Sequence, residues 1–161
     1  SPTAKVPLLQ TSRGTVADSL AIAEYLAEQF PSEQLWPSDI FARAQARSAC
    51  AQMHSGFFAM RNHMPFNLSH DAPLNPVPPE VKVDIERMLA LWAECRDAAT
   101  ESGPYLFGRV SLADAFFAPI AVRLRTYQVK LPAADEAYVE TVYQWPAFKA
   151  WQKAGLEELN P

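Results

Sequence analysis

Residues 6–23 read Val6-Pro7-Leu8-Leu9-Gln10-Thr11-Ser12-Arg13-Gly14-Thr15-Val16-Ala17-Asp18-Ser19-Leu20-Ala21-Ile22-Ala23. Val6-Pro7-Leu8-Leu9 is an apolar run closed by the turn residues Thr11-Ser12-Arg13-Gly14, and Thr15-Val16-Ala17 follows as a second short strand. A proline demotes a strand, so Pro7 stands at a sheet edge or forms a special, cis bond. A cis proline turns the chain sharply and can leave the preceding residue's N–H and C=O facing a groove, where a peptide could pair by strand addition. Asp18-Ser19 falls where the second strand passes into a helix. Free N–H groups and the positive dipole end favour a carboxylate there. The Ser19 hydroxyl adds a donor and Asp18 can hold an ammonium, so the pair could grip both charges of an α-amino acid. The plainer alternative is that one of the two simply caps the helix.

Downstream, Leu20, Ala23, Ala27 and Phe30 repeat at helical spacing and Pro31 stops the helix, which predicts residues 18–30. Residues 31–38, with Leu35-Trp36-Pro37, read as a linker with apolar anchors. From residue 39 onward no strand pattern appears. Ala42, Ala46, Ala49, Met53, Phe57, Met60 and Met64 step by four or three, predicting one long helix that ends near Pro65. A proline-rich loop leads to the seam Val81, Ile85, Met88, Trp92, Cys95 and Ala99. Ala113, Phe117, Ile120, Leu124 and Tyr127 mark a helix almost free of charge until Arg123, a pattern that belongs at the centre of a bundle. Tyr138 and Val142 mark a further helix. Pro146 opens the last one, with Gly155 expected just past its end. The expectation is a hairpin plus one helix, a linker, and an all-α bundle of about five helices.

Ser111 and Asp114, in Val110-Ser111-Leu112-Ala113-Asp114-Ala115, form a capping-box variant at the start of the central helix. A carboxylate in so apolar a helix must find donors, and the N–H groups of its own helix start are the expected ones.

These stretches together resemble the cytosolic glutathione transferase superfamily, bacterial type. Lys5-Val6-Pro7-Leu8-Leu9 followed by Asp18-Ser19-Leu20-Ala21-Ile22 is similar to the second half of the family's glutathione-binding lobe. Leu35-Trp36-Pro37 is similar to its interlobe linker, and Gly103-Pro104-Tyr105-Leu106-Phe107-Gly108 with Ser111–Asp114 to its buried N-capping box. The resemblance implies a mainly α fold: residues 1–30 as a partial thioredoxin-like lobe, 31–38 as linker and 39–161 as an all-α C-terminal domain. It implies that Val6 pairs with the cysteinyl backbone of glutathione, that Pro7 is cis, that Ser19 binds the γ-glutamyl carboxylate and that Asp18 binds its amino group. It also implies an electrophile pocket between the lobes, for which Met53, Phe57, Arg61, Arg123 and Tyr127 are candidates beside His54 and Phe58; rings with a few polar groups suit a pocket. The family's catalytic Ser, Cys or Tyr sits in a strand-helix-strand segment ahead of the hairpin, and no residue here matches it. The half-site taken alone is therefore expected to hold glutathione weakly or not at all, and to perform no conjugation by itself.

The implied activity is conjugation of the glutathione thiolate, a co-substrate, to a small hydrophobic electrophile. The alternatives are a glutathione-dependent isomerase or reductase, and a non-catalytic module for dimerisation. A homodimer would use the helices at 39–64 and 80–101 by the same resemblance. The net charge of −4 and the lack of a dense Lys/Arg run argue against a nucleic-acid partner. No apolar run of about eighteen residues suggests a membrane span, and Ser1–Lys5 does not read as a signal peptide. Cys50 and Cys95 form no CxxC and fit a reducing, cytoplasmic setting. No histidine has metal-ligand spacing, so no metal is expected.

Overall fold

The structure, a computed structural model, describes residues 6–159. The ends of the expected segments, residues 1–5 and 160–161, lie outside the described residues, as does the Ser1–Lys5 stretch. Strands β1 (Leu8–Thr11) and β2 (Gly14–Ala17) pair antiparallel, with Leu8 opposite Ala17 and Thr11 opposite Gly14. Gly14 has φ of 141°, a conformation that glycine adopts without the penalty of a Cβ, and this lets the hairpin close in two residues. Helix α1 (Ser19–Gln29) packs on both strands. Pro31 ends it, and Pro31–Glu33 forms a single 3-10 turn.

The remaining helices are α2 (Ile40–Ser55), α3 (Phe58–His63), α4 (Pro79–Asp97), α5 (Leu112–Thr126), α6 (Ala133–Gln144) and α7 (Pro146–Leu159). α5 is the centre. It packs on α2 and α6, and Phe117, Ile120, Ala121, Val122 and Leu124 are almost fully buried. Each large apolar side chain removed from water there contributes about 1.5–3 kcal/mol. Trp92 of α4 meets Phe117 and Tyr138 edge-on, at centroid distances of 6.1 and 4.7 Å. The linker is tied to this core: Leu112 N–H donates to the Leu35 carbonyl at 2.8 Å and Arg109 to the Gln34 carbonyl at 3.0 Å.

Three expectations need correction. The helix predicted from 39 to 64 is two helices, so the bundle has six rather than five. Gly56 is extended and Phe57 left-handed (φ 58°), which turns the chain and sends the Phe57 ring into the core. A Cβ on Gly56 would lie 2.7 Å from the Gln52 carbonyl oxygen, so the turn has room only for glycine. Asp84 of α4 then accepts from the Met60 N–H at 3.0 Å, satisfying one donor in the first turn of α3. Second, α7 does not stop before Gly155 but runs through it to Leu159. Gly155 serves close packing instead, because its missing Cβ would lie 2.9 Å from Leu68 Cδ1. Third, the α4 seam ends at Cys95, and Ala99 lies beyond the helix.

Asp114 is fully buried. Its Oδ2 accepts from the Ser111 N–H at 2.8 Å and the Ser111 hydroxyl at 3.2 Å, completing the capping box. Its Oδ1 accepts from the Leu106 N–H at 3.2 Å and the Tyr138 hydroxyl at 3.1 Å. The donors are thus not confined to the helix start: one comes from the preceding loop and one from α6.

Candidate functional site

The Val6–Pro7 peptide bond is cis, and Val6, two residues ahead of β1, is 89% exposed. At the other end of the hairpin, Asp18 adopts φ 78° and caps α1. Its Oδ1 accepts from the Leu20 N–H at 2.8 Å and the Ala21 N–H at 3.2 Å. The plain capping role is therefore real, but it occupies one carboxylate oxygen. The other, Oδ2, lies 2.9 Å from His54 Nε2, and Ser19 Oγ lies 3.4 Å from His54 Nδ1. The Ala21 N–H, joined by the Leu20 N–H and the His54 ring, holds the Asp18 carboxyl below its ordinary range against an opposing effect of burial. His54, near the end of α2, thus links the bundle to the start of α1.

Beside this corner a cleft of about 360 Å³ opens between α1, α2, α3, α5 and α7. Ser19 and His54 line one part. Met53, Ile120 and Pro119 give it apolar walls, and Arg61, Arg123, Phe66 and Trp151 complete it. Pro119 is the proline inside α5. Arg123 is fixed by two carbonyls: Nε donates to Met64 at 2.8 Å and Nη1 to Pro119 at 3.0 Å. Its guanidinium also lies 5.6 Å from the centre of the Phe66 ring. Arg61 donates to the His54 carbonyl at 3.2 Å.

Of the residues that the sequence suggested for a pocket, Met53, Arg61 and Arg123 meet here, with His54. Phe57 does not: it is 2% exposed, in the core, with the Arg87 guanidinium 4.8 Å from its ring centre. Phe58 points away from the core and is 64% exposed. Tyr127 lies in a neighbouring cavity of about 550 Å³ with Pro65, Phe66, Leu68 and Trp151. Its hydroxyl donates to the Pro65 carbonyl at 3.2 Å and its ring stacks on His70. Phe66 and Trp151, 5.8 Å apart, separate the two spaces. Sequence reasoning missed both, along with Pro119 and Ile120 as cleft residues. The i+3 and i+4 spacing places Pro119, Ile120 and Arg123 on adjoining faces of one helix and could have found the first pair. Among the described residues no group of three or more His, Cys, Asp or Glu side chains could hold a metal ion. No helix among them is long and apolar enough to cross a membrane.

Residues 43–154 match the family model of the glutathione S-transferase C-terminal domain. A probable maleylacetoacetate isomerase of Caenorhabditis elegans is 39% identical over 62 residues, covering 38% of this chain and 29% of the relative. Glutathione S-transferase 1 of Dianthus caryophyllus is 31% identical over 125 residues, 74% of this chain and 54% of the relative. The chain thus spans 29% and 54% of the length of these two relatives. Among solved structures, a glutathione transferase homologue from Burkholderia with bound glutathione superposes with a TM-score of 0.70 at 26% identity, over 97% of this chain and 76% of that one. A glutathione transferase from Methylococcus capsulatus superposes with a TM-score of 0.67 at 26% identity, over 96% and 76%.

Proposed function

The chain belongs to the glutathione S-transferase family, and from that premise we propose that it takes part in conjugating the glutathione thiolate to a small hydrophobic electrophile. The observation that carries the reading is the junction of two half-sites. The Asp18-Ser19 corner of α1 and the apolar cleft of the bundle share Ser19 and His54 as a common wall. In this reading the exposed Val6 backbone pairs with the cysteinyl unit of the tripeptide. Ser19 donates to the γ-glutamyl carboxylate, and the Asp18 oxygen that now faces His54 turns to the γ-glutamyl ammonium. The thiolate is the nucleophile, and the cleft brings an apolar electrophile beside it so that a bimolecular step becomes an oriented one. We assign no residue of this chain to activating the thiol. Residues 6–30, 31–38 and 39–159 act as glutathione lobe, linker and electrophile-holding bundle.

The match to a probable maleylacetoacetate isomerase favours a second reading, glutathione-dependent isomerisation. The same thiolate would add to an unsaturated carbon and leave again. The two readings separate on whether glutathione is consumed.

Glutathione titrated into the isotopically labelled protein should shift the amide signals of Val6, Ser19, Leu20 and His54 at millimolar concentration. Ser19→Ala should weaken binding by about 1–3 kcal/mol through a lost hydrogen bond to a charged group. No shifts at those residues, or an unchanged affinity in the variant, would remove Ser19 from the site.

A further inference from the structure

Two arginines line the cleft, and among the described residues no carboxylate pairs with either. His54, Arg61 and Arg123 line it, and no Asp or Glu does. The nearby carboxylate, Asp18, is already engaged by the Leu20 and Ala21 N–H groups and by His54. Arg123 is partly buried and spends its Nε and one Nη1 donor on main-chain carbonyls. A guanidinium has five N–H donors, and among the described residues the Arg123 Nη2 group has no hydrogen-bond partner. Burial, and after it the charge of Arg61, pull the Arg123 guanidinium below its ordinary value. With no Asp or Glu among the lining residues, the two guanidinium groups leave the cleft suited to an anion.

The space between them is not polar. Met53, Pro119 and the buried Ile120 wall it, and the rings of Phe66 and Trp151 flank its far side. We propose that the cleft takes an electrophile with an apolar, unsaturated body that ends in a carboxylate, gripped by Arg123 and Arg61. This rests on the glutathione transferase reading and narrows it from any small hydrophobic electrophile to an anionic one. Arg123 supplies the specificity because two carbonyls already fix its plane, so little rotamer freedom is lost when the ligand arrives. Arg61, more exposed, supplies charge at the rim.

Glutathione also carries carboxylates and is the competing source of the same chemistry. It has no apolar body to fill the Met53–Ile120 wall, and Ser19 already accounts for its γ-glutamyl end. The electrophile is therefore the better fit.

Cinnamate and the neutral cinnamamide, matched in shape, serve as probes. Isothermal titration of the protein without glutathione should give about tenfold tighter binding of the carboxylate. That preference should shrink severalfold in Arg61→Gln, an exposed position whose change leaves the core intact, and in Arg123→Met. Equal affinities for the two probes, or a preference unchanged in both Arg61→Gln and Arg123→Met, would overturn the proposal. Repeating the titration at saturating glutathione separates the sources. Retained cinnamate binding supports an electrophile subsite. Displacement of cinnamate, together with an equal loss of glutathione affinity in Arg61→Gln, would assign the arginines to glutathione and overturn it. The first comparison contains no glutathione, so its failure is distinct from failure of the Ser19 titration.

Discussion

At the scale of the residue, Asp114 shows how a buried charge is made tolerable. Burial drives its carboxyl above the ordinary range; the Ser111 N–H, the Leu106 N–H and the Tyr138 and Ser111 hydroxyls pull the other way, and burial prevails. The sign follows. A carboxyl whose folded pKa is raised keeps its proton longer in the folded state, so the fold loses stability as pH climbs from the ordinary value of 3.8 through the folded one. Its value to the protein is therefore in its acceptors rather than its charge. Asp114→Ala would leave the Ser111 and Leu106 N–H groups and the Tyr138 hydroxyl buried without a partner, at about 1–3 kcal/mol each before relaxation. We expect a total loss of about 3–5 kcal/mol by urea unfolding. Asp114→Asn keeps one acceptor but sets an amide N–H₂ against a donor, and should cost about half as much. A loss of under about 0.5 kcal/mol for the alanine variant would show that these donors find other acceptors. The sequence made the Ser111–Asp114 pair legible because a three-residue spacing is local. It could not reveal Tyr138, which arrives from another helix and shares no spacing with Asp114.

At the scale of the element, apolar periodicity marked the core faces of α2 to α6 but was blind to the break between α2 and α3. Met53, Phe57, Met60 and Met64 keep helical spacing across Gly56, and Phe57, Met60 and Met64 are buried although the helix is interrupted. The pattern reports which side chains enter the core, not whether the backbone between them is continuous. The same limit hid the far wall of the cleft. Phe66 follows α3 in a loop and Trp151 sits on α7, so only the packing of distant elements brings them together. By contrast the hairpin and the Asp18 cap could be read from turn residues, and the central place of α5 from its lack of charge. The break makes a test. Phe57 pays for a left-handed backbone with a ring that fills the core under Arg87. Phe57→Ala keeps the strained φ and empties the space, so it should lose about 3–5 kcal/mol in urea unfolding. A loss below about 1 kcal/mol would mean that α2 and α3 settle into one helix and close the cavity.

At the scale of the whole molecule, four titratable side chains, Cys50, Cys95, Asp114 and Tyr138, share one core contributed by α2, α4, α5 and α6. Burial, helped by the Asp114 charge, pushes the Cys95 thiol from an ordinary 9.0 up to about 12; burial pushes Cys50 and Tyr138 up as well. In the unfolded chain these groups ionise at their ordinary values. Above pH 9.0 the unfolded state therefore loses protons that the folded state keeps, and stability falls as pH rises toward the folded values. Each such group contributes a slope of about 1.4 kcal/mol per pH unit while the window lasts. A domain stable by about 5–15 kcal/mol cannot absorb two or three such slopes over several units. The protein should unfold cooperatively in alkali, with Cys95→Ala showing a shallower dependence of stability on pH above 9.0 even after its lost packing is subtracted. Near neutral pH the same burial keeps both thiols protonated and covered, so reaction with a thiol reagent should proceed only through opening of the bundle and should accelerate with urea in step with global unfolding. Immediate labelling of both cysteines in the native protein, indifferent to urea, would place at least one of them at a surface that the packing of α2 and α4 against α5 does not provide.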